Sequence, residues 1–130
     1  MSRKIGYRKK RVSMSEPVKP EISYDDFDKL DIRVGLITSV EDVAQSKKLV
    51  KITADFGDFT RQILSAFKDE NRDPQSVVGK KCLFVVNMAP HKMAGEMSEG
   101  LLLDLGYDDG LRPPALAIPD FDVPAGTRLS

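Results

Sequence analysis

Short apolar runs at a spacing of two, broken by glycine, proline and acidic turn residues, constrain this chain more than any other feature. Such runs form strands. The first is Ile32 to Val40 (IRVGLITSV), in which Ile32, Val34, Leu36 and Val40 fall on one parity. Gly35 in its middle points to a bend or bulge. A second strand is expected over residues 48–55 and, after a turn at Gly57 and Asp58, a third over 59–67. Residues 68–72 read as a polar loop. Asp73 then caps a short helix, with Pro74 at its first position and Gly79 as its stop. Residues 81–88 (KCLFVVNM) read as a buried strand, 89–100 as a loop, and 101–105 as a fifth strand. Upstream, Ser23 can cap a short helix over 24–30, with Asp26 placed for a weak capping box.

Three strands, a short helix and two more strands is the order of an OB-fold, a five-stranded Greek-key barrel. A strongly bent first strand suits the closure of so small a barrel. Small SH3-like barrels also have five strands, so the order alone does not separate the two. The expected fold is therefore all-β, a five-stranded OB-fold barrel with a short helix between strands 3 and 4. A proline-rich C-terminal extension follows, with apolar residues at 116–118 and Val123. The chain has 130 residues, the size of one domain. We expect a basic arm over 1–20, charged and poor in large apolar residues, and a domain over 21–130.

The net charge of zero hides an asymmetry. Arg3, Lys4, Arg8, Lys9, Lys10, Arg11 and Lys19 face only Glu16 in the first twenty residues, whereas acids outnumber bases in the rest. A basic arm on an acidic body suggests an anionic partner for the arm, or a solvated tail. Any nucleic-acid face on the body must then be a local patch. No apolar run is long enough to span a bilayer, and the basic N-terminus has no apolar stretch after it. One cysteine cannot staple the chain, so the cytoplasm is the expected compartment.

Catalytic patterns are lacking. His91 is the only histidine, which excludes paired-histidine metal sites. Neither a nucleophile elbow nor a phosphate-binding glycine loop occurs. Cys82 lies within an apolar strand, where a thiol packs rather than reacts. Asp25, Asp26, Asp28 and Asp31 suit the N-terminal side of a helix, and Asp104, Asp108 and Asp109 lack the spacing of a calcium loop. We expect no enzyme activity, cofactor or metal.

Three segments carry the functional reading. They are Asp31 to Gly35 (DIRVG); Lys47 to Lys51 (KKLVK) followed by Arg61 to Ser65 (RQILS); and Asn87 to Leu103 (NMAPHKMAGEMSEGLLL). Their order and spacing resemble the tRNA-binding domain family, over about residues 24–130. That family includes free-standing dimeric tRNA-binding proteins, the C-terminal domain of many methionyl-tRNA synthetases, the endothelial-monocyte-activating-polypeptide-like domain and the secretion chaperone CsaA. The tail at 110–130 resembles that of CsaA and of the free-standing dimers. Departures are Val43 to Ser46 where a proline-containing element is usual, Pro90-His91-Lys92 for Pro-Arg-Lys, and Ser65-Ala66 for Ser-Gly. The resemblance implies recognition of tRNA, with Lys48, Lys51, Arg61, Ser65, Asn87, His91, Lys92 and Ser98 as RNA-binding residues. It also implies a homodimer, built partly from the C-terminal extension. An aminoacyl-tRNA synthetase or an unfolded polypeptide is the alternative partner.

The residues themselves are compatible with this. OB-folds bind nucleic acid across the second and third strands and the adjoining loops. Lys51 and Thr53 share one parity of the second strand; Arg61, Ile63 and Ser65 share one parity of the third. Facing out, the first pair offers an ammonium and a hydroxyl to phosphates or 2′-hydroxyls. With few aromatics and no tryptophan, shape and backbone recognition of a folded RNA is favoured over stacking. Each residue also has a plainer role. Lys47, Lys48 and Lys51 could discourage edge pairing. Arg61 could pair with Asp55 or Asp58, and Asn87 could satisfy backbone groups at the barrel end. Met88, Met93 and Met97 could pack, or form an adaptable apolar surface for polypeptide.

Overall fold

The computed structural model describes residues 17–68 and 72–130. Most of the basic arm expected over 1–20 lies outside the described residues, as do 69–71 of the polar loop. The described chain is dominated by one antiparallel sheet. Its strands are β1 (Ile32–Asp42), β2 (Leu49–Asp55), β3 (Thr60–Ala66) and β4 (Lys81–Val85). Two short strands form a separate hairpin, β5 (His91–Met93) and β6 (Glu96–Ser98). The main sheet ends with β7 (Leu101–Leu102), and β8 (Asp104–Leu105) pairs with β9 (Ala115–Leu116) in the extension. The main sheet runs β3-β2-β1-β4-β7. That is the OB-fold order opened at the seam between its third and last strands. The ladder does not close into a continuous barrel. Instead the segment after β6 bridges the seam: Glu99 N–H donates to Gln62 O at 2.8 Å, and Gln62 N–H donates to the Glu99 carboxylate at 2.9 Å. An edge whose backbone groups are satisfied in this way does not offer itself for strand addition.

β1 organises the sheet. Its first half pairs with β4, from Ile32 opposite Val85 to Leu36 opposite Lys81, and its second half with β2. The register skips at Thr38, between Ile37 opposite Ala54 and Ser39 opposite Thr53, so the bulge lies there and not at Gly35. The skip lets Ile37 and Val40, which differ in parity, both enter the main core. Leu36, expected on the buried side, precedes the skip and is only half-buried; it shares the parity of Ile32 and Val34, which are buried outside the main core. Gly35 has a different cause. A Cβ there would stand 2.6 Å from the Phe56 ring and 3.0 Å from Phe84, so only glycine lets both rings reach β1.

The main core gathers Ile37, Val50, Ile52, Phe56, Ile63, Phe84 and neighbours, and Cys82 is fully buried among them. Burial pushes the Cys82 thiol up to about 11, which leaves it a packing group. Between β3 and β4 the expected short helix is a 3-10 turn, Pro74–Val77, whose N-cap Asp73 accepts from Gln75 N–H. The helix α1 (Tyr24–Asp28) is capped by Ser23, which accepts from Asp26 N–H at 3.1 Å. The Asp26 carboxylate does not complete a capping box but pairs with Lys29.

The C-terminal extension lies back on its own sheet. Leu83 N–H donates to Ala117 O, and the Lys81 ammonium binds Asp122 and Val123 O, both at 2.8 Å. Val34 N–H then donates to Thr127 O and Leu129 N–H to Ile32 O. These bonds occupy the side of β1 that β2 does not reach. Ile118, Phe121 and Leu129 nevertheless remain exposed.

Candidate nucleic-acid interface

Three pieces of chain come together along β2 and β3. The strands alternate there as period two requires: Val50, Ile52 and Ala54 are buried, whereas Lys51, Thr53 and Asp55 are half-buried on the other face. Lys51 stands opposite Leu64 and Thr53 opposite Gln62. Onto this outer face fold the loop between β1 and β2 and the β5–β6 hairpin. They meet in a second, small core of Val43, Leu49 and Leu64, with Ala66, Met93 and Ala94 packed against it. The hairpin turns through Ala94 and Gly95, both at positive φ, which is the backbone of a two-residue turn between strands of native twist. A Cβ on Gly95 would stand 3.2 Å from the Gln45 side-chain oxygen, so the two loop tips touch.

Lys68 ties the first loop down. Its ammonium binds Asp42 at 2.6 Å, Ser46 O at 2.6 Å and Val43 O at 3.1 Å. Ser46 Oγ in turn accepts from the N–H groups of Lys48 and Leu49. The N–H groups of Lys48 and Leu49 at the start of β2 are thus engaged, and the Lys48 side chain projects from a braced backbone.

The expected RNA-binding residues fall into two kinds. Lys48, His91 and Lys92 are exposed, and among the described residues neither lysine has a carboxylate within ion-pair distance. Lys51 faces out but is shared by Glu41 at 3.5 Å and Glu96 at 3.6 Å. Arg61 pairs with neither Asp55 nor Asp58. It lies over the Phe59 ring at 4.5 Å and donates to Thr60 O and Val86 O.

The remaining three are turned inward or engaged. Ser65 is buried because it shares the core parity of Ile63. Ser98 is 1% exposed; its hydroxyl accepts from Leu64 N–H and donates to Gly100 O, locking β6 to β3. The Asn87 amide accepts from Asp31 N–H at 2.9 Å and donates to Lys29 O at 2.7 Å, closing the sheet end beneath α1. Of the methionines, Met93 packs in the small core while Met88 and Met97 are exposed. Sequence reasoning missed Lys68 altogether; its one signal is a lone lysine directly after the apolar end of β3. No group of three metal-binding side chains occurs among the described residues.

Comparison with known proteins places this geometry. The family described as a tRNA binding domain matches residues 32–128. A methionine–tRNA ligase of Clostridium acetobutylicum is 41% identical over 112 residues, 86% of this chain and 17% of that ligase. The ligase of Methanocaldococcus jannaschii is 35% identical over 99% of this chain and 19% of its own length. The chain therefore spans less than a fifth of these ligases. Among solved structures, a MetRS-related protein from Pyrococcus horikoshii superposes with a TM-score of 0.75 at 33% identity, covering 85% of this chain and 99% of that one. The chaperone CsaA from Bacillus anthracis superposes with a TM-score of 0.70 at 28% identity, covering 85% of this chain and all of that one. By the match over residues 32–128, across both loops and the strands that carry them, the chain belongs to the tRNA-binding domain family.

Proposed function

We propose that the chain binds folded tRNA along the outer side of β2 and β3, reading shape and backbone rather than base sequence, and performs no chemistry itself. The observation that carries this is the second core. It braces two loops against each other, and from them project Lys48 and Lys92, which have no carboxylate partner among the described residues. Lys48, Lys92, His91 and Arg61 meet phosphates and 2′-hydroxyls. Lys51 joins them when RNA displaces Glu41 or Glu96. Ser65, Ser98 and Asn87 act by holding strands and loops in register. The basic residues of the arm add affinity for any RNA through charge alone.

A tRNA-delivery role beside or within a methionine–tRNA ligase fits the relatives. A homodimer fits the exposed apolar residues Ile22, Tyr24, Phe27, Ile118, Phe121 and Leu129, which two copies could cover around a two-fold axis. The cytoplasm suits such a role; among the described residues no helix is long and apolar enough to cross a membrane. Exposed Met88 and Met97 favour a second reading, capture of unfolded polypeptide on an adaptable apolar lip. A filter-binding titration of bulk tRNA, with and without an unfolded polypeptide competitor, separates the two. Saturable tRNA binding that the polypeptide leaves unchanged is expected. Polypeptide binding with no tRNA binding at low salt would reverse the assignment.

A further inference from the structure

One cation of the set above, Arg61, belongs to a cluster that the loop face does not explain. The backbone of the C-terminal segment places Arg128 directly opposite Arg33 on β1. Like charges in that position repel. A single carboxylate holds both. Arg33 Nε and Nη2 donate to Asp31 Oδ1 and Oδ2, each at 3.0 Å, and Arg128 Nε and Nη2 donate to the same oxygens at 3.1 and 3.4 Å. Arg33 also lies over the Phe59 ring at 5.4 Å, the ring that Arg61 covers at 4.5 Å. Phe59 stacks on Phe56 at 5.2 Å, and Phe56 meets Phe84 edge-on, so the guanidiniums rest on a wall continuous with the core.

The charges do not balance. Arg61 has no carboxylate partner among the described residues, and Asp58 acts on Arg33 only through space. Two guanidiniums therefore share one carboxylate, with a second acting on Arg33 at a distance, and the third, Arg61, adds its charge beside them on the Phe59 ring. Each guanidinium also keeps a nitrogen without an internal partner among the described residues: Arg33 Nη1, Arg61 Nη2 and Arg128 Nη1. Guanidiniums held by a carboxylate and an aromatic ring, with nitrogens to spare, suit a tetrahedral oxyanion better than a lysine would.

We infer that this cluster is a second anion seat, which takes a phosphodiester group of the bound RNA. The inference rests on the RNA-binding reading above and extends it to Arg33 and Arg128. Arg61 stands at the opposite end of β3 from the Lys48 loop, about 20 Å along the strand at the usual rise per residue. Two anchors that far apart fix the orientation of a folded RNA, which one basic patch cannot do.

The test is the salt dependence of bulk tRNA binding for the wild type, Arg61→Met, Arg128→Met and Arg128→Lys, with thermal unfolding of each as the check on folding. Each methionine variant should bind several-fold more weakly and flatten the log–log salt slope by about one, and Arg128→Lys should restore the slope. Titration with inorganic phosphate should also move the Nε–Hε resonances of Arg61 and Arg128 saturably. Steep wild-type binding with unchanged slopes in both methionine variants would overturn the seat while leaving RNA binding intact. A phosphate response without slope changes would mean that free phosphate, not RNA, is its ligand. Salt-insensitive or absent wild-type binding would instead overturn the reading on which the seat rests.

Discussion

The two apolar cores of this domain have different work. The main core joins β1 to β2, β3 and β4 through Ile37, Ile52, Ile63 and Phe84, with Phe56 beside them, all at most 2% exposed. The small core holds Val43, Leu49 and Leu64 beneath a loop and a hairpin. Loss of the first should unfold the chain. Loss of the second should loosen the proposed binding surface while the sheet stays folded. In the proposed function, stability rests on the main core and the loops that bind RNA rest on the small one, on the opposite face of the same two strands.

The largest expected effect lies in the main core. Phe56→Ala removes the ring that fills the space over Gly35 and supports Phe59, and should cost about 3–5 kcal/mol. Denaturant unfolding measures it. A loss below about 1 kcal/mol would mean that the two cores are not ranked as described. Leu64→Ala should cost less, about 2 kcal/mol, near the low end for a buried leucine. It should also weaken tRNA binding in protein that is fully folded by circular dichroism. Unchanged affinity would separate the small core from recognition.

The main core was largely legible in the sequence, and the small one was not. Period-two runs marked the strands, and Asp73-Pro74 with Gly79 marked the turn between β3 and β4, because those signals are local. Which parity of β1 faces the main core is hidden, since the other parity carries apolar Ile32, Val34 and Leu36 and Thr38 does not announce a bulge. The β5–β6 hairpin reads as loop because its strands are three residues each and mostly polar; Met93 and Ala94 pack against the small core of Val43, Leu49 and Leu64 only in the folded chain. The exposed cations of the candidate site could be named from the family pattern. That Ser65 and Ser98 would turn inward and that Lys68 would brace a loop depends on contacts between distant segments.

Smaller effects sharpen the contrast between groups that brace and groups that bind. Lys68→Met removes the tie on the first loop without removing a phosphate contact. Affinity for tRNA should fall several-fold with no change in salt slope; a slope reduced by about one would make Lys68 a direct phosphate ligand. The pH dependence should be slighter still. The Arg33 guanidinium beside Asp31 holds its carboxyl below the usual carboxylate range. Its contribution is therefore present above the unfolded value, near 4, and is lost as pH falls through the lower folded value. Acid unfolding of Asp31→Asn should accordingly lack part of the wild-type stability loss below about pH 4. Identical acid profiles would show that Asp31 does not link the two arginines to the fold.

If cations projecting from two braced loops bind RNA by its phosphates, their removal must flatten the salt dependence of binding. The measurement compares the wild type with a Lys48→Met, Lys92→Met double variant, using bulk tRNA at 50–200 mM salt. With roughly three to six phosphate contacts, wild-type affinity should fall about forty- to two-thousand-fold across that range. The double variant should bind more weakly at 50 mM salt, with a log–log slope smaller by about two. A double variant with unchanged affinity and slope would contradict the account, as would wild-type binding that ignores salt.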